Sequence, residues 1–120
     1  MSPLASFKSK STGIMAVAAL VALMAGPASV SAAVDEEAAQ ALAKKSNCLK
    51  CHSVDKKKEG PSFQETAGKY KGKPDAEEKL VKHVTTGPKV KVDGNEEEHE
   101  IVKSKNDAEI LNLVRWILSR

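Results

Sequence analysis

The sequence predicts a small all-α fold, four short helices and their loops, organised around one point near Cys48. Three observations carry this. Four stretches place apolar residues at helical spacing. Gly-Pro, Lys-Pro and Asp-Gly dipeptides separate them. The chain's two cysteines stand in one motif, Cys48-Leu49-Lys50-Cys51-His52.

That motif decides the chemistry. Two thiols three positions apart with a histidine directly after the second match the attachment pattern of a c-type haem. The thiols add to two vinyl groups on one side of the porphyrin. The following imidazole then lies under the iron, so His52 is the expected proximal ligand. A structural zinc would call for four nitrogen or sulfur ligands at paired spacings, and His83 and His99 are too far apart to supply them. A thioredoxin-type pair belongs in a βαβ context that the chain lacks. A simple Cys48–Cys51 disulfide would leave His52 without a purpose. One haem c bound through Cys48 and Cys51 is therefore the expected cofactor.

Residues 1–32 read as a cleavable secretory leader and residues 33–120 as a monohaem domain. Lys8 and Lys10 precede a 13-residue apolar run, Gly13 to Ala25. Gly26-Pro27 and the small residues up to Val30-Ser31-Ala32 follow, as at an A-x-A-like cleavage site. The run falls short of the ~20 residues a membrane helix needs. No membrane insertion of the mature chain is expected, and the destination is the periplasm.

Loss of the leader changes the charge. Its two lysines leave 17 basic against 16 acidic residues, so the formal +3 falls to +1. Nucleic-acid binding then has no charge basis. The mature domain is marginal in size for a self-sufficient core, and its aromatic residues are Phe63, Tyr70 and Trp116. A buried porphyrin would supply the missing apolar interior.

Taking the elements in order, Asp35 is placed to cap a helix running to about Lys45, with Glu36 and Glu37 in its first turn. Its apolar stripe is Ala38, Ala41 and Leu42. A polar loop from Asp55 ends in Gly60-Pro61. Phe63, Ala67 and Tyr70 mark a second helix. Asp75 and Glu78 form a capping-box pair for a third, whose buried face is Leu80, Val81 and Val84. From Lys89 to Val102 the helical period is lost, with Val90 and Val92 alternating with lysines and a turn at Asp93-Gly94-Asn95. Asn106 and Glu109 cap a last helix bearing Ile110, Leu113, Val114 and Ile117, with Leu111, Trp116 and Leu118 widening the stripe.

This order of elements resembles a class I cytochrome c, in particular the small bacterial c-551/c-552 group. The matching residues are Cys48 to His52, Gly60-Pro61-Ser62-Phe63, Lys69-Tyr70, Asp75-Ala76-Glu77 and Leu113 to Leu118. The resemblance spans essentially the whole mature chain. It implies crossing terminal helices, a role for Trp116 at the cofactor, and a Pro61 carbonyl that receives the proximal imidazole and sets its tautomer.

One departure stands out. The resemblance implies a methionine as second axial ligand, yet Met1, Met15 and Met24 all lie in the leader. His99 stands about where that methionine would fall, inside Glu96-Glu97-Glu98-His99-Glu100. The expected ligands are thus His52 and His99; the alternatives are His83, a lysine such as Lys91 or Lys103, or a five-coordinate iron with His99 a solvated loop residue. The acidic run is expected to favour a protonated His99 whenever the ring is off the iron. His83 would serve as a partner to a haem propionate.

The resemblance implies a one-electron carrier, not an enzyme, working with redox partner proteins, and a monomer is expected. Lys50, Lys56, Lys57 and Lys58 could steer an acidic partner. The alternative is a haem sensor or small haem enzyme with a displaceable distal histidine. Replacing both cysteines with alanine should abolish covalent haem and leave the mature chain largely unfolded by circular dichroism. A cooperative, well-folded apo-protein would contradict a haem-organised core.

Overall fold

Leu113 and Val114 have no solvent exposure, and the helix that carries them is the one every other long helix touches. The computed structural model describes residues 33–120, so the expected leader lies outside the described residues. The elements run α1 (Glu36–Lys45), α2 (Cys48–Cys51), α3 (Phe63–Tyr70), α4 (Ala76–Thr86), β1 (Lys89–Val92), β2 (Asn95–Glu98) and α5 (Asp107–Leu118). Among the described residues, no helix is long and apolar enough to cross a membrane.

Helix α5 starts at Asn106, whose side-chain oxygen accepts the Ala108 and Glu109 N–H groups. Its apolar face (Ile110, Leu113, Val114, Trp116 and Ile117) is wide because three helices pack on it. Helix α1 meets it near Asn112, which exchanges two 2.8 Å hydrogen bonds with the Asp35 backbone. Asp35 also caps α1 by accepting the Ala38 N–H. The buried stripe of α1 is Ala39, Leu42 and Ala43, with Ala38 and Ala41 exposed. The expected stripe was therefore rotated by one residue. The small side chains of Ala39 and Ala43 let α5 approach closely.

Helix α3 carries a capping box: Ser62 Oγ accepts the Glu65 N–H, and Glu65 accepts the Ser62 N–H at 2.7 Å. The capping box expected on α4 does not form. Asp75 instead pairs with Lys79 at 2.8 Å, one turn along. Helix α4 buries Ala76, Leu80 and Val84, while Val81 is half-buried at the core's edge.

Two features depart from four helices and loops. The fifth helix, α2, is the cysteine motif itself wound into one turn. The stretch after α4 is a two-stranded antiparallel hairpin, with Lys89 opposite Glu98 and Lys91 opposite Glu96. Asp93 and Gly94 both take positive φ, 48° and 86°, as a two-residue type I′ turn requires.

The segment between hairpin and α5 is tied down in two places. Val102 N–H donates to the Val84 carbonyl at 2.8 Å, and Lys103 N–H to the buried Ser46 hydroxyl at 2.9 Å. Replacing Ser62 with alanine removes the α3 cap and should cost about 1 kcal/mol of stability in denaturant unfolding. An unchanged midpoint would mean that Glu65 alone holds that end.

Candidate haem-binding site

The proximal half grows out of the end of α1. Asn47 takes a left-handed conformation, φ 61°, which breaks α1 and starts α2 in a new direction. The single turn of α2 is closed by the His52 N–H donating to the Cys48 carbonyl at 2.9 Å. His52 then leaves in extended conformation. The loop after it folds back: Gly60 N–H donates to the Cys51 carbonyl and Phe63 N–H to the Ser53 carbonyl. Lys58 Nζ caps the Leu49 carbonyl at 2.8 Å.

This loop brings the Pro61 carbonyl oxygen to 2.7 Å from His52 Nδ1. A carbonyl can only accept, so Nδ1 carries the proton and the lone pair is on Nε2. The Phe63 ring stacks on the imidazole, centroids 5.5 Å apart, and Gly60 lies directly against it. A Cβ on Gly60 would stand 2.6 Å from His52 Cε1. No larger residue fits there without moving the ring.

The distal half comes from the hairpin and α4. Gly87 ends α4 in the left-handed region, φ 61°, and its Cα side faces the His99 carbonyl oxygen closely enough that a Cβ would be 3.1 Å away. His99 N–H donates to the Pro88 carbonyl at 2.9 Å, closing the hairpin's base. His99 Nδ1 lies 2.8 Å from the Glu100 carbonyl oxygen, so here too Nδ1 is the donor, and Nε2 has no hydrogen-bond partner among the described residues.

Between the two halves lies a cavity of about 550 Å³, a size typical of cofactor pockets. Cys48, Cys51, His52, Pro61, His83 and His99 all line it. Its apolar walls include Leu80, Val84, Leu113 and Ile117, with Val90 and Val92 of the hairpin. His52 and His99 have ring centroids 6.0 Å apart, and His83 and His99 stand edge to face at 4.3 Å. Trp116 is not among the lining residues. It meets the site through Phe63, its ring edge-on at 5.4 Å, and its buried Nε1–H has no acceptor among the described residues.

Burial pushes the pKa of both His83 and His99 below the usual imidazole value. The shift favours the neutral ring, which has a lone pair to offer. The expectation that acidic neighbours hold His99 protonated is reversed. Residues Glu96, Glu97 and Glu98 are exposed, and the Glu100 backbone and charge raise the value less than desolvation lowers it. Burial likewise raises the Cys48 thiol, while a hydrogen bond to Glu59 at 3.2 Å is the main cause raising Cys51.

The residues thus suit a haem: two thiols on one wall, an oriented imidazole beside them and an apolar slot. A model of the cytochrome c family matches residues 36–120. The chain belongs to the cytochrome c family. Cytochrome c2 of Rhodocyclus tenuis is 39% identical over 82 residues, spanning 66% of this chain and 88% of the relative. Cytochrome c-552 of Hydrogenobacter thermophilus is 35% identical over 81 residues, spanning 65% and 76%.

Among solved structures, the class 1 cytochrome MtoD of Sideroxydans lithotrophicus ES-1 is 56% identical, with a TM-score of 0.70. That match covers 72% of this cytochrome and 97% of that chain. Cytochrome c552 of Nitrosomonas europaea is 31% identical, covering 67% and 96%, with a TM-score of 0.53. The cytochrome is thus a class I, monohaem electron carrier, its haem c attached through Cys48 and Cys51 with His52 adjacent.

Three features of the site were not read from the sequence. The Asp-Gly between alternating segments was a hairpin signal, whereas nothing local marks Gly60 as the floor under His52 or Gly87 as the neighbour of His99. Gly60→Ala should therefore lower the yield of properly ligated haem and shift the proximal-imidazole NMR signals. A variant with unaltered signals would show that the loop absorbs the methyl group elsewhere.

Proposed function

We propose that this cytochrome is a periplasmic one-electron shuttle whose haem iron is held between His52 and His99. The observation that carries this reading is the pairing of two imidazoles across the cavity, each with Nδ1 committed to a backbone carbonyl and Nε2 free. Metal–imidazole bonds run about 2.0–2.1 Å, and each nitrogen sits about 1 Å from its ring centroid, so two rings sharing one metal stand roughly 6 Å apart. The His52 and His99 centroids are 6.0 Å apart. No methionine occurs after Met24 to compete.

The haem supplies a one-electron couple. The protein's part is to hold both axial positions closed, exclude water from the distal face and orient the ring. Pro61, Gly60 and Phe63 fix His52, while Val90 and Val92 close the hairpin side. His83 lines the same cavity, its ring 4.3 Å from that of His99. Trp116 acts one layer back, by bracing Phe63. With imidazole in place of thioether, the ferric state gains, and the potential falls below that of methionine-ligated members.

Export through residues 1–32 would bring the chain to the compartment where thioether attachment takes place. Lys50, Lys56 and Lys57 are exposed beside the attachment turn and suit an acidic redox partner. Lys58 is partly committed to the Leu49 carbonyl.

Ferric EPR and near-infrared spectra of the purified holoprotein report both axial ligands. Two imidazoles are expected, with any substitution of His99 altering the g values. A thioether, amine or high-spin signature in the wild-type protein would overturn the ligand assignment.

A further inference from the structure

Three imidazoles face one cavity, and an axial pair uses two. The third, His83, sits on α4 with its ring edge-on to His99 at 4.3 Å. It differs from the other two in one respect. His52 and His99 each give Nδ1–H to a carbonyl, whereas neither ring nitrogen of His83 has a hydrogen-bond partner among the described residues. Its ring is therefore held by packing alone, and either nitrogen can be presented to a new partner.

The two distal imidazoles hang from different elements, which meet at the end of α4 where the His99 N–H donates to the Pro88 carbonyl. His83 belongs to a helix whose Leu80 and Val84 are buried in the core, and whose last turn is closed by Thr85 and Thr86 hydroxyls donating to carbonyls one turn back. His99 belongs to the base of a two-stranded hairpin whose outer strand, Asn95–Glu98, is exposed throughout. A lone hairpin is marginally stable in water. Segments with few buried contacts open at lower free energy than core helices. Opening of residues 89–98, with release of the His99 N–H from the Pro88 carbonyl, would thus withdraw His99 while α4 stays in place. The space vacated is that of an imidazole ring, directly beside another one.

We propose that His83 is a reserve axial ligand, which takes the iron when His99 leaves it. This rests on the His52/His99 ligand assignment. The exchange trades one iron–nitrogen bond for another, with no change in oxidation state. It keeps the iron six-coordinate and closed to small gaseous ligands while the hairpin is open. Electron transfer would then continue through a loop motion that exposes the iron in a protein with a single distal donor.

Three holoprotein variants test this: His83→Leu, His99→Ala and the double substitution, each followed by ferric EPR and by carbon monoxide uptake after reduction. His83→Leu should keep the wild-type two-imidazole g values. His99→Ala should remain low spin with two imidazoles but with shifted g values, and should resist carbon monoxide. The double variant should turn high spin, bind carbon monoxide, and return to low spin on addition of free imidazole, which shows that its pocket is still folded. A high-spin, carbon monoxide-binding His99→Ala protein beside a wild-type-like His83→Leu protein would overturn the reserve role and leave the ligand assignment standing. Altered g values in His83→Leu with none in His99→Ala would overturn the assignment itself. A low-spin double variant without added imidazole would also overturn the reserve role, because another side chain would be the donor.

Discussion

The hydrogen bond from His52 Nδ1 to the Pro61 carbonyl is the constraint on which the rest of the site depends. It fixes the tautomer, and with it the direction in which Nε2 points. It can form only because the loop after α2 returns beneath the imidazole, and that return needs a glycine at position 60. The same loop delivers Phe63 to one side of the ring, and Phe63 leans on Trp116 in the central helix. The orientation of His52 is thus coupled through two aromatic contacts to the best-buried part of the chain. Such outer contacts tune a metal ligand as much as the ligand's own identity does.

The distal side is built on a different principle. The proximal imidazole is locked by a short loop against the core, but His99 stands at the foot of a hairpin. Its position depends on the Gly87 turn, the Pro88 carbonyl and the cross-strand register. Opposite charges face each other at Lys89/Glu98 and Lys91/Glu96, which favours that register modestly. Val90, Lys91 and Val92 of its first strand and Glu97 and Glu98 of its second line the cavity. One imidazole is therefore mechanically stiff and the other mechanically softer, in a domain whose fold is otherwise that of the cytochrome c family.

The core explains why this architecture suits so few residues. Small side chains at Ala39 and Ala43 bring α1 against α5, and the reciprocal Asp35–Asn112 hydrogen bonds fix where they cross. The remaining apolar surface of α4 and α5 does not close on itself. Leu80, Val84, Leu113 and Ile117 line a slot, so the haem completes the interior that the chain leaves open.

Much of this was legible in the residues themselves. Attachment chemistry needs two thiols and an imidazole at a fixed local spacing, so Cys48, Cys51 and His52 announce the cofactor without any tertiary information. The helices were legible for the same reason, since caps and apolar periods are local. What failed locally were the choices made between neighbours: the stripe of α1 turned by one residue, and Asp75 took Lys79 instead of capping α4. The hairpin was hidden because a short strand pair with one exposed face carries little apolar signal beyond its Asp-Gly turn. Only the folded chain decided that Gly60 and Gly87 must lack side chains, and that His83 and His99 share one pocket from sixteen positions apart. It also reversed the electrostatics of His99, because charge along a sequence counts every glutamate equally, whereas in the fold water screens those on the strand and burial governs the ring.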